Sequence, residues 1–260
     1  MFNPDRKKVF LIVMGLLFFF FNAAAVLAQE KEGGDEIEEF TKFINRKRIN
    51  AAYIIVGRDM FNFGRLNSYL TEGGFPGVPE NYFTVGFGGH LIFDKLVLGL
   101  ELQSTLRRSR SSTKEFITAV SAKYGLVNAG YLLYSKKGLM MYPLMGLGVG
   151  RLALKVSENN IHSFQDITVN QASSESITRS LLLNIGFAVD YFYKFNKKKK
   201  GKNNLVLGLR AGCLISASKW DWRVNGVRVG DGPTAGLTGP YIQLTIGMGG
   251  WIEKLITQAI

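Results

Sequence analysis

Apolar and polar residues alternate in short segments between about residue 80 and residue 250. In the first clear segment, Tyr82–Phe93, large apolar side chains occupy one set of alternate positions, and small or polar residues such as Thr84 and His90 occupy the other. A helix would repeat its apolar residues at i, i+3 and i+4 instead. The period of two therefore predicts a β-strand with one apolar and one polar face.

The same alternation recurs in four further segments, which are Leu96–Gln103, Ser180–Phe195, Leu205–Ser216 and Tyr241–Gly249. Between the first two strands only Asp94 and Lys95 remain, which is the length of a tight hairpin loop. These segments therefore predict five regular strands, the first two of which are joined as a hairpin.

The strand that begins at Phe116 is less regular. The large side chains at alternate positions predict an outward face, which comprises Phe116, Val120, Ala122, Tyr124 and Leu126. Ser121, Lys123 and Gly125 are then expected to face inward. Beyond Leu126 the phase changes, and an extra residue near Leu126–Val127 would produce that change as a β-bulge.

Two more strands are predicted with less regular patterns. In Leu139–Leu154 three glycines face one side, and the alternation is lost at Arg151. The segment Asn50–Arg58 is expected to be the first strand, and its apolar run Ala51–Val56 does not alternate. In the connection that follows it, Phe63–Leu70 is expected to form a short helix. The total is eight strands.

The connections between these strands are alternately short and long. The short ones are Asp94–Lys95, Ser135–Lys137 and Lys197–Asn204, and the long ones are Asn62–Asn81, Leu106–Glu115, Ser157–Ile177 and Lys219–Gly236. Up-and-down barrels in outer membranes have short periplasmic turns and longer external loops. An even number of strands then places both ends of the barrel on the periplasmic side.

With glycine-rich strands such as Phe83–Gly89, the chain resembles small outer-membrane barrels of the OmpX and OmpA-transmembrane-domain type. The resemblance covers about Asn50 to Trp251. It implies an all-β, eight-stranded antiparallel transmembrane barrel over residues 49–251, inserted by the barrel-assembly machinery into a Gram-negative outer membrane as a monomer. Such barrels often end on an aromatic residue, whereas here Trp251 is followed by a tail at residues 252–260.

The N-terminal residues have the pattern of a secretory signal peptide. Lys7 and Lys8 belong to a basic head, Val9–Phe21 is apolar, and small residues end the segment at Ala28. We expect cleavage after residue 28, and a periplasmic segment at residues 29–48. The alternative is a membrane anchor, because Val9–Ala28 has about the 20 residues that a helical span needs.

Composition narrows the classes of partner. The chain carries a formal net charge of +12, which suits anionic lipid, lipopolysaccharide or nucleic acid. Export through the signal peptide excludes nucleic acid. The single cysteine, Cys213, has no partner for a disulfide and no metal ligands at a useful spacing. No metal and no cofactor are therefore expected.

The interior of an eight-stranded barrel is just wide enough to be filled by side chains. Inward glycines leave room for long polar residues, and we expect a buried network of Glu101, Lys123, Asp190 and Arg210. Glu101 and Arg210 lie at similar depth and are expected to pair, because buried charges are costly unless they are paired. The alternative function of such residues is a narrow ion or proton path.

Surface chemistry is expected in the loops. Arg107, Arg108, Arg110 and Lys114 fall in a long connection, where they could contact lipopolysaccharide phosphates. The long loops therefore suggest a structural or surface-interaction role.

Catalysis has few candidates, because the chain has two histidines. His162, Ser163 and Asp166 could converge only if the loop brought them together beside an oxyanion donor. We therefore assign no catalytic residue, and a lipid A acyltransferase or deacylase remains the enzymatic alternative. A soluble periplasmic β-sandwich is the alternative fold.

Overall fold

Twelve strands and one helix make up the described part of the chain, which comprises residues 48–106, 109–113, 115–158, 173–194, 204–219, 221–224, 227–230 and 232–252 of a computed structural model. In chain order the elements are β1 (Arg48–Met60), α1 (Gly64–Glu72), β2 (Asn81–Phe93), β3 (Leu96–Thr105), β4 (Ser109–Ser112), β5 (Phe116–Tyr131), β6 (Tyr134–Lys136), β7 (Leu139–Glu158), β8 (Ser173–Lys194), β9 (Asn204–Lys219), β10 (Trp222–Val224), β11 (Val227–Val229) and β12 (Gly239–Ile252). The expected signal peptide and the tail beyond residue 252 lie outside the described residues. So do the expected periplasmic segment, apart from Arg48, and the short connection Lys197–Asn204, apart from Asn204.

The eight long strands close into an antiparallel barrel. Each of β1, β2, β3, β5, β7, β8 and β9 pairs with the next long strand, and β12 pairs back onto β1 through positions such as Ile54 and Ile246. This ring of pairs leaves no edge between the eight strands, so their backbone groups are satisfied by neighbours. The predicted eight-stranded up-and-down barrel is confirmed, and the β-sandwich alternative is wrong.

The two ends of the barrel differ in their connections. At the short-turn end, β2 and β3 are joined by Asp94–Lys95, and β6 and β7 by Lys137–Gly138. Asp94, Lys137 and Gly138 have positive φ angles of 58°, 52° and 87°, which two-residue hairpin loops favour. The opposite, long-loop end carries α1, β4, β10 and β11. The alternation of short and long connections is therefore present in the fold.

The strand faces follow the expected alternation, and β1 follows it as well. Ile54 is 58% exposed on the outer surface, whereas its neighbour Ile55 is fully buried inside. Tyr53 also faces inward, and Val56 faces outward. The sequence of β1 hides its period of two because both faces of the strand are apolar at this level of the barrel.

The predicted phase of β5 is wrong. Val120, Tyr124 and Leu126 are buried in the interior, while Lys123 is exposed on the outer surface and Val127 is 61% exposed. The pairing of β5 with β7 keeps a constant register from Phe116–Glu158 to Gly130–Leu144, so the expected bulge is absent from this pair of strands. Large side chains face inward here because the barrel interior is itself apolar at this level.

The alternation of β7 also continues through Arg151. This residue is exposed on the outer surface, and its neighbours Gly150 and Leu152 are buried. The glycines of β7 therefore share the inward face with Leu152 and Leu154, and the outward face passes from Val149 to Arg151 without an interruption.

Apolar side chains fill both ends of the interior. The mouth cluster, at the long-loop end, consists of Phe61, Phe63, Leu66, Leu70, Val78, Tyr82, Val120, Ala122, Tyr124, Leu126, Leu152, Leu154, Leu182, Leu214, Trp222, Ala235, Leu237 and Tyr241. The base cluster, at the short-turn end, consists of Ile49, Ala51, Tyr53, Ile55, Ile92, Val97, Leu132, Met140, Tyr142, Leu144, Ala188, Phe192 and Val206. Along β9 the inward positions run from Val206 in the base cluster, through Arg210, to Leu214 in the mouth cluster. A polar layer therefore lies between the two apolar ones.

The connection between β1 and β2 folds over the long-loop end. The predicted short helix is present as α1, which buries Leu66 and Leu70 in the mouth cluster and leaves Tyr69 exposed. Asn67 holds the returning chain, because its Nδ2 donates to the carbonyl of Val78 at 3.0 Å and its Oδ1 accepts from the Val78 amide at 2.7 Å. This segment is consequently a packed cap over the barrel.

In the part of the chain that the structure describes, no helix is long and apolar enough to cross a membrane.

Candidate functional site

An ion pair crosses the centre of the barrel. Glu101 lies on β3 and Arg210 on β9, and these strands stand on opposite sides of the ring. Arg210 Nη1 contacts Glu101 Oε1, and both side chains are almost completely buried. The guanidinium also lies over the ring of Tyr53, with 4.4 Å between Cζ and the ring centroid. The pair thus ties opposite walls together through charge, hydrogen bonding and a cation–π contact.

A chain of hydrogen bonds extends from Glu101 toward the long-loop end. Gln103 Nε2 donates to Glu101 Oε2 at 3.3 Å, and Gln243 Nε2 donates to Gln103 Oε1 at 3.0 Å. Tyr124 Oη donates to Asp59 Oδ2 at 2.7 Å and lies 2.9 Å from Gln103 Oε1. All five side chains are buried. Strands on several sides of the barrel are therefore joined through one buried network.

Inward glycines make room for this network. A Cβ atom at Gly86 would lie 2.8 Å from Gln103 Cγ, and one at Gly88 would lie 3.0 Å from Glu101 Cγ. Both distances are shorter than ordinary van der Waals contact, so a larger residue would displace the polar side chains. These glycines on β2 thus allow long side chains from β3 to reach the barrel axis.

A second polar group surrounds Asp190 on β8. Tyr142 Oη donates to Asp190 Oδ2 at 2.6 Å, and His90 Nε2 lies 3.8 Å from the same oxygen. All three side chains are buried. A cavity of about 10 Å³ adjoins His90, Tyr142 and Arg210, which is room for about one water molecule. The polar layer is therefore nearly filled.

Three of the four residues expected in the interior network lie there. Glu101, Asp190 and Arg210 are buried between the two apolar clusters, and Glu101 contacts Arg210. Lys123 is not part of the network, because it faces outward on β5. The residue pattern does not identify Asp59 as a member of the network, since β1 shows no alternation in sequence. Counting every second residue from the inward Tyr53 would place Asp59 inside the barrel.

The remaining predicted residues lie mostly beyond the part of the chain that the structure describes. Arg107, Arg108 and Lys114 lie outside the described residues, and Arg110 is described only as part of the backbone of β4. The loop segment with His162, Ser163 and Asp166 also lies outside them. Within the described ranges, no group of three or more His, Cys, Asp or Glu residues could hold a metal ion.

The outer surface of the barrel completes the arrangement. Large apolar side chains are exposed on every long strand, for example Leu100 on β3, Leu207 on β9 and Leu244 on β12. An apolar exterior around a polar-centred interior is the arrangement of transmembrane barrels, in which the outward band faces lipid. The fold is that of an outer-membrane β-barrel.

Comparison with known proteins gives similarity at the level of structure. No protein-family model matches the chain, and no curated protein matches it by sequence. Neisserial surface protein A (NspA) is 10% identical over 80% of this chain and 97% of its own, with a TM-score of 0.39. The attachment invasion locus protein Ail of Yersinia pestis is 13% identical over 80% of this chain and 99% of its own, with a TM-score of 0.39. The outer membrane protein AlkL is 14% identical over 88% of this chain and 97% of its own, with a TM-score of 0.36.

Proposed function

We propose that the protein is a non-enzymatic, non-conducting outer-membrane barrel that holds its long-loop end at the cell surface for a structural or surface-interaction role. The observation that carries the proposal is the Glu101–Arg210 pair across the axis, with an apolar cluster on either side of it. A solute or an ion would have to displace packed side chains at three levels. A role at the surface therefore fits this interior better than transport does.

The orientation of the barrel follows from its connections. Outer-membrane barrels have short turns on the periplasmic side and longer loops outside. The periplasmic side would then carry the two-residue turns Asp94–Lys95 and Lys137–Gly138, and the cap that contains α1 would face outward. The cap buries Phe61, Phe63 and Leu66, so it offers a fixed surface to the cell exterior.

A narrow channel would conduct ionic current, whereas a filled interior should not. We expect the purified barrel to produce no conductance steps in a planar lipid bilayer across the range of applied voltages, because the mouth and base clusters exclude hydrated ions. Heat-modifiable migration on a gel would verify that the same sample is folded. Reproducible current steps from the folded protein would contradict a non-conducting role.

The lipid A-modifying alternative is testable in cells. We expect lipid A from cells that express the protein to have the same mass spectrum as lipid A from cells that lack it. A gain or loss of one acyl chain would contradict the proposal. Expression of the variants His162→Ala and Ser163→Ala would then show whether these loop residues cause the change.

A further inference from the structure

Three basic residues form a row on the outer wall of the barrel. Lys123 on β5 is directly paired with Arg151 on β7, and Arg151 is directly paired with Arg179 on β8. All three residues are exposed and occupy outward positions of their strands. The row therefore concentrates three positive charges at directly paired positions of three adjacent strands.

On each of the three strands, the row lies where the outward residues change from apolar to basic. On β7 the outward positions pass from Val149 to Arg151, and on β8 they pass from Leu181 to Arg179. On β5 the exposed Val127 is followed toward the long-loop end by Gly125 and then by Lys123. All three strands thus change from an apolar to a basic outward residue in the same register, on the side of the long-loop end.

Like charges on directly opposite cross-strand positions destabilise a sheet. Among the described residues, none of the three cations forms an ion pair with a carboxylate. The outward carboxylate of Glu175 is paired in register with Lys155 and not with a member of the row. An anion from outside the chain would offset the repulsion within the row.

A groove lies next to the three cations. It has a volume of about 450 Å³, and its apolar part is formed by Leu102, Gly125 and Val149. Gly125 leaves room for the Leu102 side chain in this wall, because a Cβ atom at Gly125 would lie 2.8 Å from Leu102 Cδ2. The wall therefore combines a cationic rim with an apolar depression of a size that suits a segment of acyl chain.

We propose that Lys123, Arg151 and Arg179 bind the phosphate of an acylated phospho-glycolipid of the outer leaflet, lipid A, with one acyl chain along the groove. Arginine forms bidentate, charge-assisted hydrogen bonds with phosphate oxygens, and lysine adds a mobile point charge. The inference rests on the proposed membrane location and names the lipid that the wall selects.

Binding should be measured on the full folded chain in nanodiscs of zwitterionic lipid, with lipid A titrated in and detected by native mass spectrometry. We expect the triple variant K123Q/R151Q/R179Q to bind lipid A at least tenfold more weakly than the unsubstituted protein. Removing the phosphates from lipid A should weaken its binding to the unsubstituted protein by a similar factor. Equal binding by the triple variant would overturn the proposal.

Arg58 supplies the matched control. It is exposed and outward on β1, which stands across the ring from β7, and its register partners are the apolar residues Phe83 and Ile242. We expect Arg58→Gln to change lipid A binding by less than twofold, because a lone cation lacks the row's charge density. If Arg58→Gln weakened lipid A binding as much as the triple variant does, the binding would reflect general attraction to the positively charged wall, and the proposal of a specific site would be overturned.

Two further measurements distinguish a lipid A site from a free-anion site and from a damaged barrel. Inorganic phosphate at millimolar concentration should not displace lipid A, and displacement would indicate a free-anion site instead. Without lipid A, the triple variant should unfold at the same or a higher temperature, because the repulsion within the row is relieved. If the unsubstituted protein did not enter lipid at all, the proposed membrane location would fail, whereas an inserted barrel without selective binding would refute only the lipid site.

Discussion

Replacing Glu101 with glutamine should lower the free energy of unfolding by about 3–5 kcal/mol. The substitution keeps the volume of the side chain but leaves the buried guanidinium of Arg210 without its carboxylate. The measurement is urea-induced unfolding of the folded barrel in detergent micelles, followed by tryptophan fluorescence.

A double variant distinguishes the effect of the ion pair on stability from the effect of the volume that the two side chains fill. Glu101→Gln combined with Arg210→Met should recover most of the lost stability, because replacing a buried pair by uncharged groups is often neutral or stabilising. Lys123→Gln should change stability by less than about 0.5 kcal/mol, since its side chain faces outward. If Glu101→Gln unfolded like the unsubstituted protein, the cross-lumen pair would not be a structural tie.

Replacing Leu66 with alanine should lower the free energy of unfolding by about 2–5 kcal/mol, which is the usual cost of a cavity at a fully buried leucine. Leu66 is 0% exposed and anchors α1 in the mouth cluster, so its loss should also loosen the cap. Urea-induced unfolding would give the stability, and limited proteolysis would report cleavage between residues 61 and 80.

The same helix offers the control. Tyr69 is 56% exposed on the outer side of α1, and Tyr69→Ala should change stability by less than about 0.5 kcal/mol without faster cleavage. Equal behaviour of the two variants would mean that the cap is not held by the packing of its inner face.

The barrel is closed by three different kinds of contact. The cap and mouth cluster exclude water at one end, the base cluster does so at the other, and the polar layer joins opposite walls between them. Because every polar group of that layer is far from solvent, unpaired members are costly. In the proposed surface role, the outer wall and the loops are the surfaces left for interaction.

The sequence was sufficient wherever the relevant physics is local. The period of two in Leu96–Gln103 and Ser180–Phe195, the two-residue loop Asp94–Lys95 and the alternating connection lengths predicted the number of strands and their up-and-down order. Each of these features depends on neighbouring residues, on backbone pairing and on the turn chemistry of a few positions. The pairing of Glu101 with Arg210 also followed from counting residues from the turns.

The tertiary structure alone decided which face of β1, β5 and β7 is inside. At the two ends of the barrel the interior is as apolar as the lipid-facing surface, so hydrophobicity does not distinguish the faces there. For that reason the residue pattern did not predict that Lys123 lies outside the barrel and Asp59 inside it. The row of Lys123, Arg151 and Arg179 likewise exists only through the register of three strands, because these residues are far apart in the chain.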